Sequence, residues 1–200
     1  MVITIHQPEH FPYMGFFHKM RKADAFVILD DVKFKKNNWQ NRNKFLNSTG
    51  EEEWFTVPIQ KKHISRNINE VFVSQDKRWR KKLLKQLKMN LKVDLQDIYD
   101  SDKIIDINMK SIEYCCEKLK IETPLILSSD LKCPGHRSEK LVNICKNLGA
   151  TTYLSGPSGK NYLDADLFES NGIKIDFFEP QVNNYYSALY NIYIEGLLDE

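Results

Sequence analysis

The sequence predicts an α/β fold: a mostly parallel, Rossmann-like sheet flanked by helices, with a small excursion around residues 35–75. Three observations point there. Short β-branched or aromatic runs alternate with longer segments of helical period along most of the 200 residues, which is the pattern of strands crossing over through helices. The run Ala25-Phe26-Val27-Ile28-Leu29 is apolar at every position, as a strand covered on both faces must be. Polar segments bearing proline or glycine follow several strand candidates, at the places where such sheets carry their ligand loops. A composition of 42% hydrophobic and 28% charged residues excludes global disorder or a fibre, and the length suits one domain, 1–200.

Taken in order, Val2 to Ile5 reads as a buried strand and Gly15 to Asp24 as a helix with Phe16, Phe17 and Met20 on one face. Ala25 to Leu29 follows as a central strand. Trp54 to Val57 and Val71 to Val73 are shorter strand candidates. From Arg78 to Lys92 the residues Trp79, Leu83, Leu87 and Leu91 recur every four positions, predicting an amphipathic helix with a basic outer face. A second helix is expected from Ile104 to Leu119, and Pro124 turns the chain into the apolar run Leu125 to Leu127. Ser138 is expected to cap a helix ending at Gly149. Thr151 to Ser155 and Ile173 to Phe178 complete the strands.

No apolar run approaches the eighteen or so residues of a membrane span, and the start of the chain has no basic flank of a secretory signal. The expected address is the cytoplasm. The four cysteines, two of them adjacent at Cys115 and Cys116, read as reduced thiols. A formal charge of +2 gives no field that would imply nucleic acid as partner.

Three segments fall beyond strand ends. The first, His6 to Gly15, joins His6, Gln7 and His10 to two prolines ahead of a helix that carries Gly15 and His18. It resembles a stiffened ligand loop, or equally a proline-shaped turn. Pro8 and Pro12 break any helix through His6 and His10, and Gln7 stands where a zinc-protease signature needs glutamate, so no metal is expected. The second, Asp30 to Lys44, is rich in amides, cations and one tryptophan. There Arg42 suits phosphate or carboxylate, Gln40 and Asn41 suit hydroxyls, Trp39 suits stacking, and Asp30 and Asp31 suit magnesium or a proton; a solvated loop is the alternative. The third carries Ser155, Gly156, Lys160 and Tyr162 in an anion nest or a plain turn, without P-loop spacing.

At these segments the chain resembles the WbqC-like family of bacterial proteins. The resemblance rests on Ile5-His6-Gln7-Pro8 with Pro12, Gly15 and Lys19, on Asp24-Ala25-Phe26-Val27 to Asp30-Asp31-Val32 with Phe34, and on Trp39-Gln40-Asn41-Arg42-Asn43. It continues through Thr56-Val57-Pro58, Gly149-Ala150, Tyr153 to Gly156 and Tyr162-Leu163 as far as about Phe178, while the tail Leu189 to Gly196 departs from the family pattern. A looser similarity links Pro12-Tyr13-Met14-Gly15-Phe16-Phe17-His18 to the ATP-binding opening of pantothenate synthetase and related nucleotidylyltransferase-like enzymes, whose closing Gly-His is absent here.

The resemblance implies a role in surface-polysaccharide (O-antigen) synthesis, with acyl or aminoacyl transfer onto an amino sugar carried by a nucleotide. The implied partners are that nucleotide-linked amino sugar and a small acyl or aminoacyl donor, and ATP with Mg is the cofactor set to test. On this reading His6 or Asp31 is the base, Arg42 and Lys160 hold phosphate or carboxylate, and Gln40 and Asn41 read the sugar. A non-catalytic nucleotide-sugar or glycosyltransferase-binding module, and a nucleotidylyltransferase, are the alternatives.

Overall fold

The computed structural model describes residues 1–196. In chain order its elements are β1 (Val2–His6), α1 (Met14–Met20), β2 (Ala25–Ile28), β3 (Arg42–Leu46), β4 (Glu52–Thr56), α2 (Arg78–Leu91) and α3 (Ile104–Lys118). There follow β5 (Leu125–Leu127), α4 (Ser128–Leu131), α5 (Arg137–Asn147), β6 (Thr152–Ser155), α6 (Ala165–Ser170), β7 (Lys174–Phe177) and α7 (Ala188–Tyr193). The chain forms two compact units, one of Met1–Gln7, Gly15–Asp30 and Ile121–Val182, the other of Pro8–Met14, Asp31–Lys120 and the chain from Asn183.

The first unit holds the expected sheet. Its five strands run parallel in the order β5-β2-β1-β6-β7. Ile3, Ile5, Ala25, Val27 and Tyr153 of the strands pack against Leu141, Val142, Ile144 and Cys145 of α5 and Phe168 of α6, so the inner strands read as continuous apolar runs. From β1 the chain steps to β2 on one side, and later returns to β6 and β7 on the other. The order therefore reverses at β1. Ser138 is the second residue of α5 rather than its cap; its hydroxyl accepts from Asp164 N at 3.0 Å and thereby helps to seat the start of α6.

The second unit contains the antiparallel hairpin β3–β4, paired from Arg42↔Thr56 to Leu46↔Glu52. Helix α2 buries Leu83, Leu87 and Leu91, the four-residue spacing visible in the sequence, and α3 buries Ile104, Ile107, Ile112 and Cys115. Two expectations change here. Val71 to Val73 makes isolated bridges to Ile59 and Lys103 rather than a strand, because its neighbours are turns and single residues. The excursion is also longer than 35–75: the segment from Asp31 to Lys120 belongs to this unit, since α2 packs on β4 and both long helices pack on α7.

The cysteines are buried and form no disulfide; burial pushes the Cys145 thiol up to about 12. Among the described residues no helix is long and apolar enough to cross a membrane, and no group of three or more His, Cys, Asp or Glu is placed to hold a metal ion.

Candidate functional site

In the first unit the ladder between β1 and β6 is short. It pairs Val2 with Thr152 and Ile3 with Tyr153, then stops. The next acceptor, the Leu154 carbonyl, takes the Thr4 hydroxyl at 2.7 Å instead. Beyond Ile3↔Tyr153 no further rung joins β1 to β6, whereas β1 stays paired to β2 through His6↔Ile28 and the Leu29 N–H to His6 O bond of 2.8 Å. The ladder ends toward the carboxyl ends of the strands where their order reverses, the position at which sheets of this kind take ligands.

His6 stands at that edge. Its ring meets Phe16 edge-on at 5.0 Å, and Nδ1 lies 3.0 Å from the Gln7 carbonyl, which assigns the proton to Nδ1 and the lone pair to Nε2. Removal from water, reinforced by the Lys19 cation and opposed by the Gln7 bond, lowers the imidazole pKa to about 3. His6 is therefore neutral at working pH. Gly15 is buried in the first turn of α1, and His18 is half-buried further along it.

Asp30, expected at a ligand, is 1% exposed. Its carboxylate accepts from Ser128 Oγ at 3.0 Å, Ser129 N at 2.9 Å and Ser129 Oγ at 2.7 Å, so it anchors the end of β2 to the start of α4. The third segment is a folded turn. Ser155 is buried, with Oγ bonded to Gly156 O at 3.1 Å, and the 3-10 turn Pro157–Asn161 folds so closely over it that any Cβ at Gly159 would overlap Ser155 Oγ. Lys160 pairs with Glu179 at 3.1 Å and lies over the Phe177 ring, while Tyr162 is exposed.

In the second unit the amide-rich stretch is mainly a structural hub. Gln40, Asn41 and Asn43 are at most 2% exposed. Gln40 Oε1 accepts from Lys35 N at 2.7 Å, Asn41 Nδ2 donates to Val57 O at 3.0 Å, and Asn43 Nδ2 donates to Phe11 O at 2.7 Å. Gln40 and Asn41, expected on sugar hydroxyls, thus spend these amide groups inside the protein. His10 is corrected in the same way. It is fully buried between Phe11, Phe55 and Tyr99, its Nε2 bonds Tyr99 OH at 3.1 Å, and desolvation, opposed by Asn108, lowers it to about 3. Arg42 Cζ lies over the Trp54 ring, 4.3 Å from its centre, and Asp31 is half-buried at the start of the unit's long segment.

One cavity in this unit, of about 230 Å³, is lined by Glu9, Tyr13, Trp39, Asn43 and Tyr185. Tyr13 and Tyr185 pack at 5.5 Å, and Trp39 stacks on Trp54 at 5.6 Å and 21°. Of the lining residues the sequence singled out Trp39 as a ligand contact. Glu9 and Tyr13 lie in the His6–Gly15 loop, where the histidines and Gln7 were read as the contacts instead, and Tyr185 comes from a segment far along the chain; the aromatic enrichment of the tail was the available signal.

The sequence matches the WbqC-like protein family over residues 7–198. The chain belongs to that family. As a WbqC-like protein it resembles the mycobacterial "Uncharacterized protein Rv1507c" (Mycobacterium tuberculosis), 29% identical over an alignment of 201 positions that covers 94% of this chain and 86% of the relative. No solved structure matches it. The family match runs well past Phe178, so the tail that departs from the expected wording, and α7 with it, lies inside the WbqC-like region.

Proposed function

We propose that this WbqC-like protein forms an amide on an amino sugar, transferring an acyl or aminoacyl group in bacterial surface-polysaccharide synthesis. The observation that supports the reading is the neutral His6 imidazole at the carboxyl end of the central strand, beyond the last rung between β1 and β6. In such a transfer the sugar amine attacks the acyl carbon. A nitrogen–carbon bond forms, the bond from that carbon to its leaving group breaks, and the ammonium proton passes to His6 Nε2. An imidazole with a pKa near 3 is by itself a weak base. A phosphate of the nucleotide-linked sugar lying beside it raises that value, so the substrate strengthens its own base. Asp31 is the second candidate for this role, and an acyl adenylate made from ATP with Mg is one form the donor takes.

The test is direct. Purified protein is incubated with UDP- or dTDP-linked amino sugars, Mg-ATP and labelled glycine or acetyl donors, and amide products are sought by mass spectrometry. Product that falls by about 100-fold or more in His6→Gln supports the role of the imidazole. Product at the wild-type rate in His6→Gln rejects that role, pyrophosphate release without amide favours the nucleotidylyltransferase, and nucleotide-sugar binding without turnover on any donor favours the binding module.

A further inference from the structure

Strand β7 is the last strand on one side of the sheet in the first unit, and among the described residues no strand pairs with its outer edge. Lys174 N bonds Thr151 O and Phe178 N bonds Ser155 O, so the even-numbered residues turn their backbone groups toward β6. Successive residues of a strand alternate, which aims the N–H and C=O of Ile175 and the N–H of Phe177 away from the sheet. The side chains alternate as well. Lys174 and Asp176 share one face, where they pair at 2.8 Å with both side chains exposed. Ile173, Ile175 and Phe177 share the other face, along a groove of about 550 Å³ that Leu163 and Ala165 also line. Phe177 is 40% exposed there. An open edge of this kind is a template for another strand.

We propose that β7 pairs antiparallel with β7 of a second copy of this chain, about a two-fold axis through Ile175. The charge order selects this occupant. Reading Ile173-Lys174-Ile175-Asp176-Phe177 outward from Ile175 in the two directions gives opposite charges at matching places, so an antiparallel copy sets each Lys174 against an Asp176. Those pairs fall at the non-hydrogen-bonded sites of the ladder, where facing side chains come closest. Ile175 meets Ile175 and exchanges both backbone bonds with it. Phe177 of each copy faces Ile173 of the other, over the groove that Ile173 lines, and its N–H reaches the Ile173 carbonyl. The Ile173 N–H is already held by the Phe168 carbonyl at 3.0 Å, so the ladder ends there. A slip of two residues in either direction sets Lys174 against Lys174 or Asp176 against Asp176, which is destabilising, and the register is fixed by that repulsion. Because both copies use the same surface, the interface is isologous and closed, with no edge of β7 left to recruit a third chain.

The experiment uses the whole chain. Sedimentation equilibrium from about 1 to 300 μM is expected to show a dimer of the 23.5 kDa chain, and the Ile175 and Phe177 amides are expected to exchange hydrogen more slowly as the dimer fills. Asp176→Lys and Lys174→Asp each set like charges against each other across the axis, and each is expected to weaken the dimer by about tenfold or more. Mixing the two variants sets lysines against aspartates again and is expected to restore association as a heterodimer, an outcome that neither variant gives alone. Both substitutions fall on exposed side chains, and circular dichroism checks that each variant is folded. A monomer across the whole range, a dimer that neither substitution weakens, or two variants that remain monomeric when mixed overturns the proposal.

Discussion

The Thr4 hydroxyl donates to the Leu154 carbonyl across 2.7 Å, at the acceptor where the next rung between β1 and β6 would form. Both atoms are buried with their strands, and Thr4 has no exposed surface. A side chain thus satisfies a backbone carbonyl that the end of the ladder would leave unpaired. Thr4→Val keeps the shape and removes the donor. The expected outcome is a loss of about 1–3 kcal/mol in unfolding free energy, read from urea denaturation; an unchanged midpoint would mean that the ladder closes over the gap.

His6 and His10 make stability depend on pH. Each has a folded-state pKa near 3 against about 6.5 in the unfolded chain. Between those values the unfolded state binds the extra protons, so stability is complete above pH 6.5 and drains away as pH falls toward 3. The limiting slope is about 1.4 kcal/mol per pH unit for each histidine. Urea midpoints for wild type and His6→Gln from pH 7 to 4 should converge as pH falls, and parallel curves would show that His6 contributes nothing.

Gly159 is required for space, since a Cβ there overlaps Ser155 Oγ and comes within 2.9 Å of Leu163 Cδ1. Gly159→Ala should cost about 1–3 kcal/mol through overpacking. Adding Ser155→Ala removes the closest atom, so the double variant should be more stable than the two single losses summed. Strict additivity in a double-mutant cycle would contradict the contact.

Asn43 holds the carbonyl of Phe11, a fully buried residue at φ +45°, in the left-handed region that bulky residues rarely adopt. Ser111 Oγ accepts from the Phe11 N–H at 3.1 Å. Asn43→Ala releases the carbonyl and leaves buried acceptors unpaired, with an expected loss of about 2–4 kcal/mol. Thermal melts should place Asn43→Ala well below Ser111→Ala, which leaves one N–H without its partner; the opposite order would refute the assignment.

Much of the sheet was legible because its strands are written in apolar runs: Val2 to Ile5, Ala25 to Ile28 and Thr152 to Ser155 are buried strands of the parallel sheet. Helices α2 and α3 were legible from their periodicity. Strand β3 was not, because Arg42-Asn43-Lys44-Phe45-Leu46 looks polar until Asn43 is known to face inward and be bonded on both ends of its amide. The same confusion assigned Gln40, Asn41 and His10 to a ligand: buried amides and imidazoles that serve the backbone have the composition of a binding loop. Asp30 repeats the point with Ser128 and Ser129. The aromatic slot was hidden for a different reason, since Tyr185 and Trp39 reach Glu9 and Tyr13 only through tertiary folding.

The Trp39–Trp54 stack, at 5.6 Å and 21° between ring planes, has a spectroscopic consequence. Two indoles held this close share their excited states, so the folded protein carries an exciton-coupled pair whose split circular-dichroism band depends on the angle between the rings. The Arg42 guanidinium also lies over the Trp54 ring, 4.3 Å from its centre. Any molecule that slides against Trp39 must tilt the pair or polarise it, and the protein would announce its own ligand in the ultraviolet without a label.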